Sequence, residues 1–177
     1  MKNKIKIICL FLLLLSLTAC GKEKNYNYNR LNVKTVMNNE YLTEEFSEQF
    51  STVYFKSKDK SNSFEYIIKE DNREEYSLDS AKEYITSLKD ILKQGYQISK
   101  KEEVSAKKRN DQFICTCEYS ALDSDNNIYT VKTKYVFDTK TNEAIMIVMF
   151  VDDKEPKEIK NAFFEVFDEA VIKRDEE

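Results

Sequence analysis

Three features of this sequence predict an α+β fold, a mostly antiparallel sheet of about six to seven strands packed with two amphipathic helices. Two stretches, roughly 78–94 and 156–173, repeat apolar residues every three or four positions, the stripe of a helix with one buried face. Between them, residues 112–151 fall into extended, apolar-rich segments separated by turns rich in Asp and Asn. The last of these segments, Ala144 to Val151, is apolar on both faces, as a strand covered from both sides must be. The simplest arrangement is a helix-on-sheet sandwich with one helix per face.

The chain opens with Lys2, Lys4 and Lys6, followed by an almost wholly apolar run from Ile7 to Leu17. That run is about eleven residues long, too short for the roughly 20 that a spanning helix needs. A basic start, a short apolar core and small closing residues are the anatomy of an export signal. Leu17-Thr18-Ala19-Cys20 closes it and resembles the bacterial lipobox at all four positions. The resemblance implies that residues 1–19 are a lipoprotein signal peptide and that Cys20 carries a covalent diacylglyceryl lipid. The protein is then expected at the extracytoplasmic face of the cell membrane, held by that lipid. The alternative is an ordinary secretory signal with a chance cysteine at its end. Two or more acyl chains, at about 0.8 kcal/mol per buried CH₂, make a stable anchor where one does not. Cys9 belongs to the signal and would leave with it.

The 158 residues after residue 19 suffice for one domain and a tether, and a chain of that size needs no disulfide staples. Without Lys2, Lys4 and Lys6, 25 Lys and Arg face 32 Asp and Glu, a net charge of about −7. Mixed, net-acidic charge argues against nucleic acid as a partner, which calls for clustered positive charge. It also leaves anchoring to the acyl chains, because anionic head groups would repel the domain.

The absences narrow the chemistry. No His is present, which excludes Ser-His-Asp and Cys-His nucleophile pairs and histidine-ligated zinc or copper. Gly21 and Gly95 are the only glycines, so a glycine-rich phosphate loop cannot form. Carboxylates, Lys, Tyr and two cysteines remain.

Residues 20–30 read as the lipidated Cys and a flexible, solvated tether, and residues 31–177 as one extracytoplasmic domain. Leu31, Val33 and Thr35 alternate as an extended piece. Tyr41 to Phe50 satisfies a short helix or a loop equally. Val53 to Lys56 and Phe64 to Lys69 read as two strands joined by the polar turn Ser57–Ser63. In the first helix Leu78, Ala81, Ile85, Leu88 and Leu92 share a face, with Ser77 or Asp79 as cap and Gly95 as a left-handed closing residue. Four strands follow: Tyr96 to Ser99 (extendable to Ala106), Gln112 to Ala121, Ile128 to Phe137 and Ala144 to Val151. The last three should form an antiparallel meander. In the third, Tyr129, Val131, Thr133, Tyr135 and Phe137 face one way and Thr130, Lys132 and Lys134 the other. The closing helix carries Ile159, Ala162, Phe163, Val166, Phe167 and Ala170 on its stripe, with Pro156 in its first turn.

Strands, helix, strand meander and closing helix behind a lipobox resemble, over about residues 31–173, the PsbP/DcrB-like fold. That group includes the PsbP subunit of photosystem II and several bacterial lipoproteins. The resemblance implies a mostly non-catalytic accessory or binding role.

Three groups of residues are candidate sites. Cys115 and Cys117 flank Thr116 in a strand, so they share a face with Phe113 and Tyr119. Alternate strand residues lie about 6.6–7 Å apart, at or beyond disulfide reach, which favours two small buried hydrophobes over a strained redox disulfide or a soft-metal thiolate pair. Asp123, Asp125 and Asn127 begin like a calcium loop, but Ile128 stands at the glycine position and Lys134 at the bidentate acid, so a hairpin turn is expected. Acid clusters (Glu44, Glu45 and Glu48; Glu74 and Glu75; Asp152 and Asp153) could pair for glycosidase-like chemistry but read as solvated surface. The expectation is a non-catalytic, membrane-anchored protein that binds an envelope protein or small ligand. The alternative is thiol-based redox or soft-metal handling by Cys115 and Cys117. A carboxylate enzyme comes third.

Overall fold

The computed structural model describes residues 22–28, 31–47, 52–58, 64–70, 77–98 and 104–173. Eleven strands and two helices are found among them: β1 (Lys22–Tyr28), β2 (Leu31–Met37), β3 (Leu42–Ser47), β4 (Thr52–Ser57), β5 (Phe64–Glu70), α1 (Leu78–Leu92), β6 (Gln97–Ile98), β7 (Val104–Arg109), β8 (Gln112–Leu122), β9 (Ile128–Asp138), β10 (Glu143–Asp152), α2 (Lys157–Glu169) and β11 (Val171–Lys173). The main sheet runs β3-β4-β5-β10-β9-β8-β6, with β7 also on β8. A smaller sheet runs β1-β2-β11, and all pairs are antiparallel. The α+β class and the meander β8-β9-β10 are as the sequence predicts.

The pleat of the meander separates two cores. Ile145, Ile147, Met149 and Val151 of β10 join Ile114 and Val136 against Ile159, Ala162, Phe163, Val166 and Phe167 of α2. Ala144, Met146, Val148 and Phe150 join Cys115, Cys117, Tyr119, Val131, Tyr135 and Phe137 against Ala81 and Ile85 of α1. One helix therefore covers each face. β10 lies between β5 and β9, and Ala144 through Val151 are all buried. Each of its large aliphatic side chains contributes about 1.5–3 kcal/mol of transfer free energy, which explains why this strand carries no polar residue between its ends.

Local chemistry closes each element. The Ser80 backbone N–H donates to the Ser77 Oγ at 3.0 Å, and the Ser77 N–H donates to the Ser80 Oγ at 2.9 Å, a reciprocal cap on α1. The three hairpin turns that join β7 to β10 each place an Asn in the left-handed region: Asn110 (φ 56°), Asn126 (φ 64°) and Asn142 (φ 54°). Asn tolerates that backbone because its short polar side chain can bond locally.

Several expectations are corrected. The segment read as a flexible tether contains β1, whose seven residues pair with β2 from Lys22↔Met37 to Tyr28↔Leu31. The ambiguous stretch after Tyr41 is strand β3, with Leu42 buried, paired to β4. Gly95 does not take a positive φ, and α1 ends with the Gly95 and Tyr96 N–H groups both bonded to the Leu92 carbonyl. The stretch after Gly95 holds two strands, β6 and β7, with β7 turning back on β8 at Asn110 and Asp111. The closing helix stops at Glu169. Ala170 is extended (φ −66°, ψ 120°), and Val171–Lys173 pair with β2.

Candidate functional site

Cys115 and Cys117 are buried in β8 beneath α1 and are unbridged. Burial pushes both thiols above their ordinary range. Lys82 partly opposes this at Cys115 and Lys89 at Cys117. A thiol is activated by exposure and nearby positive charge, and here desolvation outweighs the lysines. Thr133 stands across the sheet from Cys117, fully buried, and its hydroxyl oxygen has no hydrogen-bond partner among the described residues. No group of three potential metal-ligating side chains occurs among the described residues.

The Asp123 loop is a hairpin turn. Asp123 Oδ1 accepts the N–H groups of Asp125 (2.9 Å) and Asn127 (2.8 Å), and Oδ2 accepts Asn127 Nδ2 (3.0 Å) and the Tyr129 hydroxyl (3.1 Å). These bonds, the Asn127 side-chain amide first, hold its carboxyl below the usual carboxylate range. Lys154 Nζ donates to Asn127 Oδ1 at 2.9 Å, placing a cation where a metal would need a vacant ligand.

Among the described residues the acidic clusters do not converge. Glu45 pairs with Lys56 at 2.6 Å, Asp152 accepts the Lys154 N–H, and Asp153 accepts the Thr130 hydroxyl. Glu48, Glu74 and Glu75, like Cys20 and the rest of the expected signal, lie outside the described residues.

Two clefts open on the α2 side of the sheet, where β7 and β8 extend beyond the helix. One, of about 360 Å³, is lined by Lys34, Arg109, Asn110, Gln112, Glu169 and Ile172. The other, of about 310 Å³, is lined by Ser105, Thr116, Cys117, Glu118, Lys132, Phe167 and Asp168. Gln112 fixes the floor between the sheets, donating from Nε2 to the Ile172 carbonyl at 2.7 Å and to Asp138 Oδ2 at 3.3 Å. In the second cleft Lys132 pairs with Glu118 at 3.4 Å and lies over the Phe164 ring at 4.3 Å, while the Ser105 and Thr116 hydroxyls are 2.6 Å apart.

Sequence reasoning missed this surface. The run Lys107-Lys108-Arg109 was visible, but without the Asn110-Asp111 turn nothing assigned it to a strand of its own. No helix among the described residues is long and apolar enough to cross a membrane.

No family model matches the chain, and no curated protein matches it. Among solved structures it is similar to the solution structure of cyanobacterial PsbP (CyanoP) from Synechocystis sp. PCC 6803, with a TM-score of 0.59 and 14% identity. The match covers 86% of this chain and 94% of that one. The likeness is one of fold, an α+β arrangement of two helices on antiparallel sheets.

Proposed function

We propose that the protein is a lipid-anchored, extracytoplasmic accessory protein that binds an envelope partner and performs no catalysis. The observation that carries this reading is the Leu17-Thr18-Ala19-Cys20 stretch placed directly before a single PsbP-like domain. The polar groups of that domain support it. Asp123, Asp138, Lys134 and Gln112 are spent on turns, a helix end and an inter-sheet contact. The thiol alternative has weaker support, because a buried thiol above its ordinary range is a poor nucleophile and a poor metal ligand at neutral pH.

The deciding experiment compares the wild type with Cys20→Ala in intact cells, by metabolic lipid labelling, membrane fractionation and in-cell crosslinking. The expected result is lipid incorporation and membrane retention that depend on Cys20, with one crosslinked envelope partner. Retention of the Cys20→Ala protein without lipid would overturn the anchor. Absence of a partner, together with loss of a cellular phenotype in Cys115→Ser or Cys117→Ser, would move the assignment to thiol chemistry.

A further inference from the structure

β7 is an edge strand. It pairs with β8 on one side, and its outer side pairs with no strand among the described residues. An unpaired edge offers a row of main-chain donors and acceptors to another extended chain. Its residues from Ser105 to Arg109 are exposed, and three consecutive ones, Lys107, Lys108 and Arg109, are cations. The pleat sends Lys108 to the α1 side, over the Phe113 ring at 5.4 Å, and Lys107 and Arg109 to the α2 side. Neither Lys107 nor Arg109 has an ion-pair partner among the described residues, in a domain whose overall charge is acidic. Arg109 lines the larger cleft together with Lys34 and Gln112, opposite the single carboxylate of Glu169.

The same charges decide what the edge accepts. Two copies of β7 brought edge to edge would oppose six cations, which disfavours self-pairing. A segment bearing carboxylates at alternate positions would gain main-chain hydrogen bonds and place its acids against Lys107 and Arg109. The position in the fold also suits an outward partner. Lys22, where the chain leaves toward Cys20, pairs with Met37. Along that end of the molecule the registers place Leu42, Ser57, Phe64, Phe150, Tyr129 and Leu122. Arg109 and Gln112 lie at the other end of the sheet, beside Asp138.

We propose that the outer edge of Val104–Arg109 binds an extended acidic segment of a partner protein by strand addition, with the partner's carboxylates read by Lys107 and Arg109. This rests on the binding role proposed above and names its surface.

The test uses the full chain purified in a neutral detergent and a fluorescein-labelled peptide of alternating Glu and Val. The expected result is binding that weakens with salt and falls at least about tenfold in the double variant Lys107→Glu, Arg109→Glu. Methylation of alternate peptide nitrogens should abolish it, and bound peptide should slow hydrogen exchange at Val104–Arg109. Both substitutions are at exposed sites, so the melting temperature should match wild type and certify the fold. Undiminished binding by the charge-reversed variant would overturn the proposal. Equal affinity for the methylated peptide would also overturn it, leaving charge attraction without strand pairing. Preferential, Lys107- and Arg109-dependent binding to phosphatidylglycerol vesicles would reassign the surface to lipid. If the reversed variant still crosslinks to the cellular partner, this edge is wrong while the accessory role stands. If wild type crosslinks to nothing and ignores the peptide, both fall.

Discussion

The buried ammonium of Lys134 donates to the Phe167 carbonyl at 2.7 Å and lies 5.5 Å from the centre of the Phe167 ring. It donates also to the Asp168 carbonyl at 2.8 Å. These are among the last carbonyls of α2, a helix with no basic residue in its own final turn. The sheet supplies the cation that the helix lacks, at the negative end of its dipole. Only 3% of Lys134 is exposed, so water cannot replace it. Lys134→Met keeps the length and apolar stem but strands the carbonyls. The expected cost is about 2 kcal/mol, a fall in melting temperature of roughly 4–8 °C for a domain of this size. A melting curve equal to wild type would show that the helix end is satisfied without Lys134.

The two thiols of β8 should behave as buried apolar groups. The folded protein is expected to leave Cys115 and Cys117 unmodified by a maleimide at neutral pH, with both reacting once denaturant is added. Cys115→Ala and Cys117→Ala should each cost about 1–2 kcal/mol and leave partner binding unchanged. Rapid modification of either thiol in the native state would contradict the burial argument.

Asp123 ties the β8-β9 turn through four accepted hydrogen bonds, and its folded pKa lies below the ordinary value. A depressed carboxylate contributes stability above its unfolded pKa of about 3.9 and loses that contribution as pH falls through the lower folded value. Asp123→Asn should therefore melt below wild type at pH 7. The gap should narrow from about pH 4 downward. A gap independent of pH would show that charge plays no part in the turn.

β1 gives the sharpest test of the revised view of the N-terminal segment. Deleting residues 22–28 would be silent if they were a spacer. With β1 in place, the deletion bares the β2 edge beside the core residues Val33 and Met37, so the melting temperature should fall and aggregation rise. Unchanged melting by circular dichroism would return the segment to a tether.

What could be read from the chain alone was whatever a segment's own periodicity records. Ile85 and Ala81 on one stripe, Phe163 and Val166 on another, and the two-faced apolar run from Ala144 to Val151 are each dictated by local burial at a period of 3.6 or 2. The helices and the central strand were therefore legible, as was the turn chemistry of Asp123 and Asn127. The missing His and the scarce Gly bounded the chemistry without any structure. Tertiary structure alone decided β1, β3, β7 and β11. β7 is exposed from Ser105 to Arg109, so its sequence records no burial alternation, and all four strands are extended because a neighbour's main chain bonds to them. The same holds for Lys134, which alternation placed opposite the tyrosine face but whose burial depends on a helix end 33 residues away. The Lys34–Arg109 cleft joins residues that no spacing relates, because only the docking of β11 on β2 beside the β7-β8 turn brings them together.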